Sequence, residues 1–362
     1  MVKEEEKVKK PMSARKKKFL ALLAVTLATG VSTLGVYGAT ELYDSFFRRY
    51  DRPDYAIVAG IRQIEQTDLT REEFFFPSDK VKLAGYFYPA DDEKGMVVVS
   101  HGLHTGSDDY LPIIEYLVQN HYSVFGYNYK GTYESEGEST VGMCESLVDL
   151  DHALNYINSE AKFAGKKIFL LGHSWGGFAT AAVLSLHKEV KGAACIAAFN
   201  NGYTLIEEKG GEYAGRFASE GVPKAFLGAY QKFLFGKYTN YDGVKGINSV
   251  DVPVLIAHGV NDKIINYDLQ SIICHREEIT NERAEYYVGT ELHSGHDTIW
   301  LSDRAAVYRE QVKESLADLE EKKGEKLSYE EKVDFFKNVD DRLYSEINYE
   351  LFDRIVSMFD RA

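Results

Sequence analysis

Six short apolar runs recur along the middle of the chain, at Gly95–Ser100, Ser123–Tyr129, Ile168–Leu171, Gly192–Phe199, Val252–His258 and Ala284–Gly289. Gly95–Ser100 reads as a strand buried on both faces and Ile168–Leu171 as a buried strand, and the others have the length of strands. Between them lie stretches with helical spacing: Tyr110–Asn120, about Cys144 to Phe163, Gly177–Leu186, and about Tyr267 to Glu278. Ahead of the series, Phe74–Phe76 and Val81–Tyr88 flank Pro77-Ser78-Asp79-Lys80, which predicts an antiparallel pair joined by a short turn. Strands alternating with helices make this an α/β chain with a mostly parallel sheet covered on both faces. Right-handed crossovers then place ligands at the carboxyl ends of the strands.

Two stretches break the rhythm. Asn200–Val250 carries nine aromatics, Tyr203, Tyr213, Phe217, Phe226, Tyr230, Phe233, Phe235, Tyr238 and Tyr241, between two core strands. It reads as a helical cap inserted at about 200–250 above the carboxyl edge, with most rings packing the cap down and two or three meeting substrate. From about 303 onward the chain is charged and helical, with Gly324 in a break. Residues 41–70 read as a linker followed by an amphipathic helix carrying Ile57, Ile61 and Ile64, and 71–362 as one domain.

The amino terminus differs from all of this. Residues 1–18 hold eight Lys/Arg against three Glu, and Phe19–Thr40 follows as 22 residues without a charge. A helix of that length spans about 33 Å, enough to cross the hydrocarbon core of a bilayer. Arg15-Lys16-Lys17-Lys18 would hold its start in the cytoplasm. The expectation is a single-pass signal-anchor at 19–40 in the cell membrane, with the large domain outside the cytoplasm. A cleaved signal peptide, with its exit near Val36-Tyr37-Gly38 or Gly38-Ala39, is the alternative. The whole chain of 362 residues carries a formal charge of −14 in spite of that basic start. So acidic a body argues against a nucleic-acid partner. Cys144, Cys195 and Cys274 are too few and too scattered for a metal site or a disulfide framework.

The candidate chemistry centres on Lys166–Gly177, KKIFLLGHSWGG. An apolar strand runs into Gly172-His173-Ser174-Trp175-Gly176 and then into a helix. That context turns G-x-S-x-G into a nucleophile elbow. The serine of such a turn sits in a strained backbone, so the residues two before and two after it must be tiny. A serine hydroxyl is a weak nucleophile and needs an imidazole to take its proton. The imidazole in turn needs a carboxylate to fix its tautomer and stabilise its cation. Asp262 lies just past a strand end, and His293 and His296 both follow the last core strand.

Three motifs, His101-Gly102-Leu103-His104-Thr105-Gly106, Gly172–Gly177, and His258-Gly259-Val260-Asn261-Asp262 with Ser294-Gly295-His296-Asp297, resemble those of α/β-hydrolase-fold serine hydrolases. The group meant is that of monoacylglycerol lipases, small esterases and serine-aminopeptidase-like proteins, matched over roughly residues 70–310. The resemblance implies that fold, and catalysis in the chain order Ser174, Asp262, His296. Gly295-His296-Asp297 matches the family's histidine pattern and favours His296 over His293. It also implies an oxyanion hole from the backbone amides of Leu103 and Trp175, with His101 holding the loop. His258 reads as structural. One departure is Asn128-Tyr129-Lys130-Gly131-Thr132-Tyr133-Glu134-Ser135, where relatives usually carry Asp-x-Arg-Gly-x-Gly-x-Ser.

The expected activity is cleavage of a carboxylic ester through an acyl-enzyme, with a small-molecule ester or acyl substrate and no metal or organic cofactor. A peptidase or aminopeptidase-like hydrolase is the alternative, with Glu207, Glu208 and Glu212 offering an anchor for a free amino group. A non-catalytic binding protein on the same scaffold is a third reading.

Overall fold

The structure is a computed structural model that describes residues 18, 29–30, 33, 36–38, 40–41, 43–206 and 222–362. The basic lead and most of the apolar stretch Phe19–Thr40 lie outside these residues. Among the described ones, no helix is long and apolar enough to cross a membrane.

Eight strands form one sheet: β1 (Glu72–Ser78), β2 (Val81–Tyr88), β3 (Gly95–Ser100), β4 (Tyr122–Tyr127), β5 (Ile168–His173), β6 (Gly192–Ile196), β7 (Val254–Gly259) and β8 (Ala284–Gly289). Their order is β1-β2-β4-β3-β5-β6-β7-β8. The first two run antiparallel and β3 to β8 run parallel. Pro77 is tolerated in β1 because that strand is an edge. Strands β3 to β7 are buried at every residue, which explains their unbroken apolar runs.

Alternate residues of each strand serve opposite faces. Val97, Val99, Phe169 and Leu171 pack with α1 (Leu111–Gln119) and the C-terminal helix. Met96, Val98, Ile168 and Leu170 pack with α2 (Glu145–Ser159) and α3 (Trp175–Val183). Between β6 and β7 the chain makes α4 (Val222–Phe235) and α5 (Gly243–Asn248). After β8 come α6 (Asp303–Lys323), α7 (Tyr329–Phe336), α8 (Asp341–Tyr344) and α9 (Tyr349–Asp360). Helix α6 starts on a Ser302 cap, whose Oγ accepts from the Ala305 N–H, and stops at Gly324 in the left-handed conformation. Helix α9 buries Leu351, Phe352, Ile355, Val356, Met358 and Phe359 along one stripe.

Two expected helices do not form. Ile57–Ile64 yields only the 3₁₀ turns Tyr55–Ile57 and Ile64–Gln66, separated by Gly60 at φ +104°. The Gly60 and Ile61 amides donate instead to Asp341 Oδ1 (2.7 Å) and Ser345 Oγ (2.8 Å), which straps this segment to the C-terminal helices. Tyr267–Glu278 is irregular up to the 3₁₀ segment Ile273–Glu278. There the Asn266 carbonyl gathers the amides of Gln270 and Ser271, and Ile272 N–H donates to Ala198 O at 3.0 Å. An isolated bridge between Phe199 and Ser271 forms at the point where the spacing predicts a helix.

A buried carboxylate ties the N-terminal segment to the loop after β3. Asp108 accepts from Arg71 Nη1 at 2.6 Å and Arg52 Nη1 at 2.5 Å. Removing one member of such a cluster strands the others' charge. Asp108→Asn should cost about 2–3 kcal/mol, discounted because Arg52 is partly exposed, in urea unfolding at neutral pH. A loss below about 0.5 kcal/mol would mean that solvent screens the cluster.

Candidate active site

The β5–α3 turn holds Ser174 at φ +56°, ψ −115°, a conformation that costs a non-glycine residue about 1–3 kcal/mol. Its neighbours leave no room for side chains. A Cβ on Gly172 would lie 2.2 Å from Gly176 O, and one on Gly176 would lie 2.1 Å from Ser100 O. The Ser174 amide donates to Ile196 O at 2.8 Å, which anchors the turn to β6.

The residues singled out in the sequence come together here. Ser174 Oγ donates to His296 Nε2 at 2.8 Å, and His296 Nδ1 donates to Asp262 Oδ2 at 2.6 Å. Asp262 is fully shielded from solvent and also accepts from the amides of Ile264 and Ile265 at 2.8 Å each. Burial alone would raise its pKa. Hydrogen bonds from His258 and His296, with the charge of His296, outweigh that and hold the carboxyl well below the usual carboxylate range. His293 points elsewhere, its Nε2 lying 2.9 Å from Asp303 Oδ1 at the start of α6.

Leu103 lines the same cavity as Ser174 and His296, and Trp175 is the first residue of α3. An amide in that first turn has no acceptor within its own helix. The Trp175 side chain is buried, its Nε1 donating to Met143 O at 2.6 Å. His101 holds the loop, donating from Nδ1 to Gly102 O (2.8 Å) and accepting the Tyr129 amide at Nε2 (3.1 Å). Burial depresses its pKa to about 3, so the ring is neutral.

Two roles were not legible in the sequence. His258 Nε2 lies 3.1 Å from Asp262 Oδ2, so this strand residue also orients the acid. Its spacing of four from Asp262 was the available signal. The second role is a relay. Gly102 N–H donates to Tyr110 Oη at 2.9 Å, the phenol donates to His173 Nδ1 at 2.8 Å, and His173 Nε2 donates to His296 O at 3.2 Å. The loop carrying Leu103 is thereby connected to the main chain of His296. Burial and the neighbouring His296 push the His173 pKa down to about 4.

Among the described residues, His173, His296 and Asp297 offer possible metal-ligand atoms within 4.8 Å of one another. Both imidazoles already use their ring nitrogens, His173 on Tyr110 and His296 O, and His296 on Ser174 and Asp262. The donor set therefore suits proton transfer better than metal ligation.

The cavity measures about 330 Å³, and its walls were not those expected. No described cap aromatic lines it. Phe235 is buried, Tyr238 donates to Asp151 Oδ2 at 2.6 Å, and Phe233 faces solvent. Tyr213, Phe217 and the acidic residues Glu207, Glu208 and Glu212 lie outside the described residues. Ala59–Arg62, Trp300, Arg309 and Ser345 form the wall instead.

A depressed carboxyl stabilises the fold above its unfolded pKa, about 3.9, and that stability is lost as pH falls toward the folded value. Asp262→Asn should therefore destabilise the protein at pH 7 by about 1–3 kcal/mol. The deficit should shrink progressively below about pH 4 in parallel denaturation series. A deficit independent of pH would show that Asp262 is not held ionised.

A family model described as "Serine aminopeptidase, S33" matches residues 91–229, which contain Leu103, Ser174 and Trp175 but end before Asp262 and His296. The uncharacterized protein YfhR of Escherichia coli O157:H7 is 24% identical over 245 residues, 66% of this chain and 77% of its own length. Human monoglyceride lipase is 33% identical over 93 residues, 25% of this chain and 30% of its own. Among solved structures, an esterase of Pyrococcus furiosus superposes with a TM-score of 0.52 at 18% identity, over 76% of this chain and 98% of that one. Strand order, elbow and these likenesses agree: the chain has the α/β-hydrolase fold and resembles the serine hydrolases built on it.

Proposed function

We propose that this protein is a serine hydrolase that cleaves carboxylic esters through an acyl-enzyme. The observation that carries the reading is the hydrogen-bonded line from Ser174 through His296 to Asp262, set on a strained elbow. Ser174 Oγ attacks the ester carbonyl carbon while His296 Nε2 takes its proton, and Asp262 stabilises the imidazolium. The amides of Leu103 and Trp175 are assigned to the oxyanion. As the C–O bond breaks, His296 returns the proton to the departing alkoxide. A water, deprotonated by the same imidazole, then releases the acid and restores Ser174. The names of two similar proteins, a monoglyceride lipase and an esterase, favour an ester.

A second reading, aminopeptidase-like cleavage of short peptides, draws on the description of the matching family model and on Asp297, a carboxylate in the cleft able to receive an amine. Turnover of an aminoacyl-nitroanilide with none of acyl esters would establish it.

The proposal extends to location and layout. Residues 19–40 anchor the chain in the cell membrane behind the basic lead 1–18, and the body from 71 to 362, with its cap at about 200–250, lies outside the cytoplasm. The alternative is secretion after signal cleavage. The full chain should stay in the membrane pellet after alkaline carbonate extraction, whereas a chain lacking residues 1–40 should not. Loss of the full chain to the supernatant would remove the anchor.

For the chemistry, a fluorophosphonate probe should label the wild type, and p-nitrophenyl butyrate should turn over. Ser174→Ala and His296→Ala should each lose about 10⁴-fold or more in kcat, and Ser174→Ala should not label. His293→Ala should retain most activity. Equal labelling of Ser174→Ala would sink the nucleophile assignment, and an unlabelled wild type would favour the non-catalytic binding protein.

A further inference from the structure

The cleft beside Ser174 contains two arginines in unlike states. Arg62 is compensated: it pairs with Asp109 and donates from Nε to Ala59 O at 3.1 Å. Arg309, on α6, is not. Its Nε donates to Tyr344 O at 2.7 Å, but among the described residues no carboxylate stands within ion-pair distance of it and no acceptor engages Nη1 or Nη2. Its guanidinium lies 4.5 Å from the ring centroid of Tyr344 and 5.3 Å from that of Trp300. Asp297 acts on it only as a longer-range attraction, and Arg62 opposes that. Burial lowers the Arg309 pKa, yet an arginine stays charged at any working pH.

A half-buried cation without a counter-charge costs stability, so its place in a cleft with a reactive serine calls for a use. The guanidinium lies over the rings of Tyr344 and Trp300, and Tyr344 O takes Nε. What is left is the edge bearing Nη1 and Nη2, the fork that matches the two oxygens of a carboxylate or phosphate. Arg309 and Ser174 line one cavity of about 330 Å³, within the span of one small substrate. The protein as a whole is strongly acidic, so attraction of an anion here must be local.

We infer that this cleft selects esters carrying an anionic group, a carboxylate or a phosphate, whose oxygens accept hydrogen bonds from Nη1 and Nη2 of Arg309 while the ester carbonyl lies at Ser174. The inference rests on the serine-hydrolase reading and names the substrate class of that site. Arg309 is a specificity-determining residue in it, with no part in proton transfer.

The test compares kcat/KM within two matched pairs on the full-length protein. One pair carries the charge on the acyl side: p-nitrophenyl hydrogen glutarate against p-nitrophenyl pentanoate. The other carries it on the alcohol side: 1-oleoylglycerol 3-phosphate against 1-oleoylglycerol. In wild type at least one anionic member should be preferred, and the pair that shows it identifies the side on which the charge sits. Arg309→Met should lower that anionic-to-neutral ratio about tenfold or more, and Arg309→Lys should lower it less, since the charge remains and the fork is lost. If Arg309→Met does not fold, the wild-type ratio is followed as salt rises to about 0.5 M, where screening should reduce it. Neutral members equal or preferred in both pairs, or a ratio unmoved by Arg309→Met, overturns the inference. Labelling of Ser174 by a neutral fluorophosphonate separates the two failures: label without charge selectivity removes only the anionic subsite, and no label removes the hydrolase reading with it.

Discussion

The left-handed backbone of Ser174 is the constraint on which the rest of the molecule depends. It is held only because strands from distant parts of the chain end at one level. Ser100 pairs with Gly172 in register, the Ser100 carbonyl overlies Gly176, and Ile196 O receives the Ser174 amide. A slip of one residue between β3 and β5 would turn Val97 and Val99 from one core to the other, so the two cores enforce the register that the elbow needs. The energy stored at one serine is thus borne by the packing of the whole sheet.

Around that point, electrostatics divides labour among histidines. His296 stands between serine and acid, His258 braces the acid, His173 braces the main chain of His296, and His101 braces the loop of Leu103. Burial keeps His101 and His173 neutral, so each donates from one ring nitrogen and accepts at the other without adding charge to the site. The loop that departs from its relatives does its bracing with other chemistry. Asn128 accepts the Ser107 amide through Oδ1, Lys130 pairs with Glu145, and the Lys130 amide donates to Asp149.

How much was readable in the chain follows from the range of each interaction. Gly95–Ser100 is a strand at the bounds its apolar run predicts, because burial on both faces writes itself into consecutive residues, and Ala284–Gly289 keeps its predicted bounds as the half-exposed edge strand. The elbow was legible for a similar reason: its steric demands fall within five residues. The helix expected over Ile57–Ile64 failed because its amides are claimed by Asp341 and Ser345, nearly three hundred positions away, and no local period encodes such a partner. The cleft wall was missed on the same ground. The aromatic-rich stretch after β6 looked like the lining, yet Trp300, in the 3₁₀ turn before α6, and Arg309, on that mostly polar helix, line the cavity with Ser174.

That wall bears on the order in which the protein is made. Ser174, Asp262 and His296 are all translated before Arg309, Tyr344 and Ser345, and the amides of Gly60 and Ile61 find their acceptors only once Asp341 and Ser345 have been made. Contacts between such remote segments close the longest loops and form late. Helix α9, which packs on β3 and β5, is made last as well, so the sheet, the elbow and the cleft wall are completed together. The final sixty residues therefore do more than wall the cleft: until they are made, the sheet that carries Ser174 lacks part of the core on one of its faces.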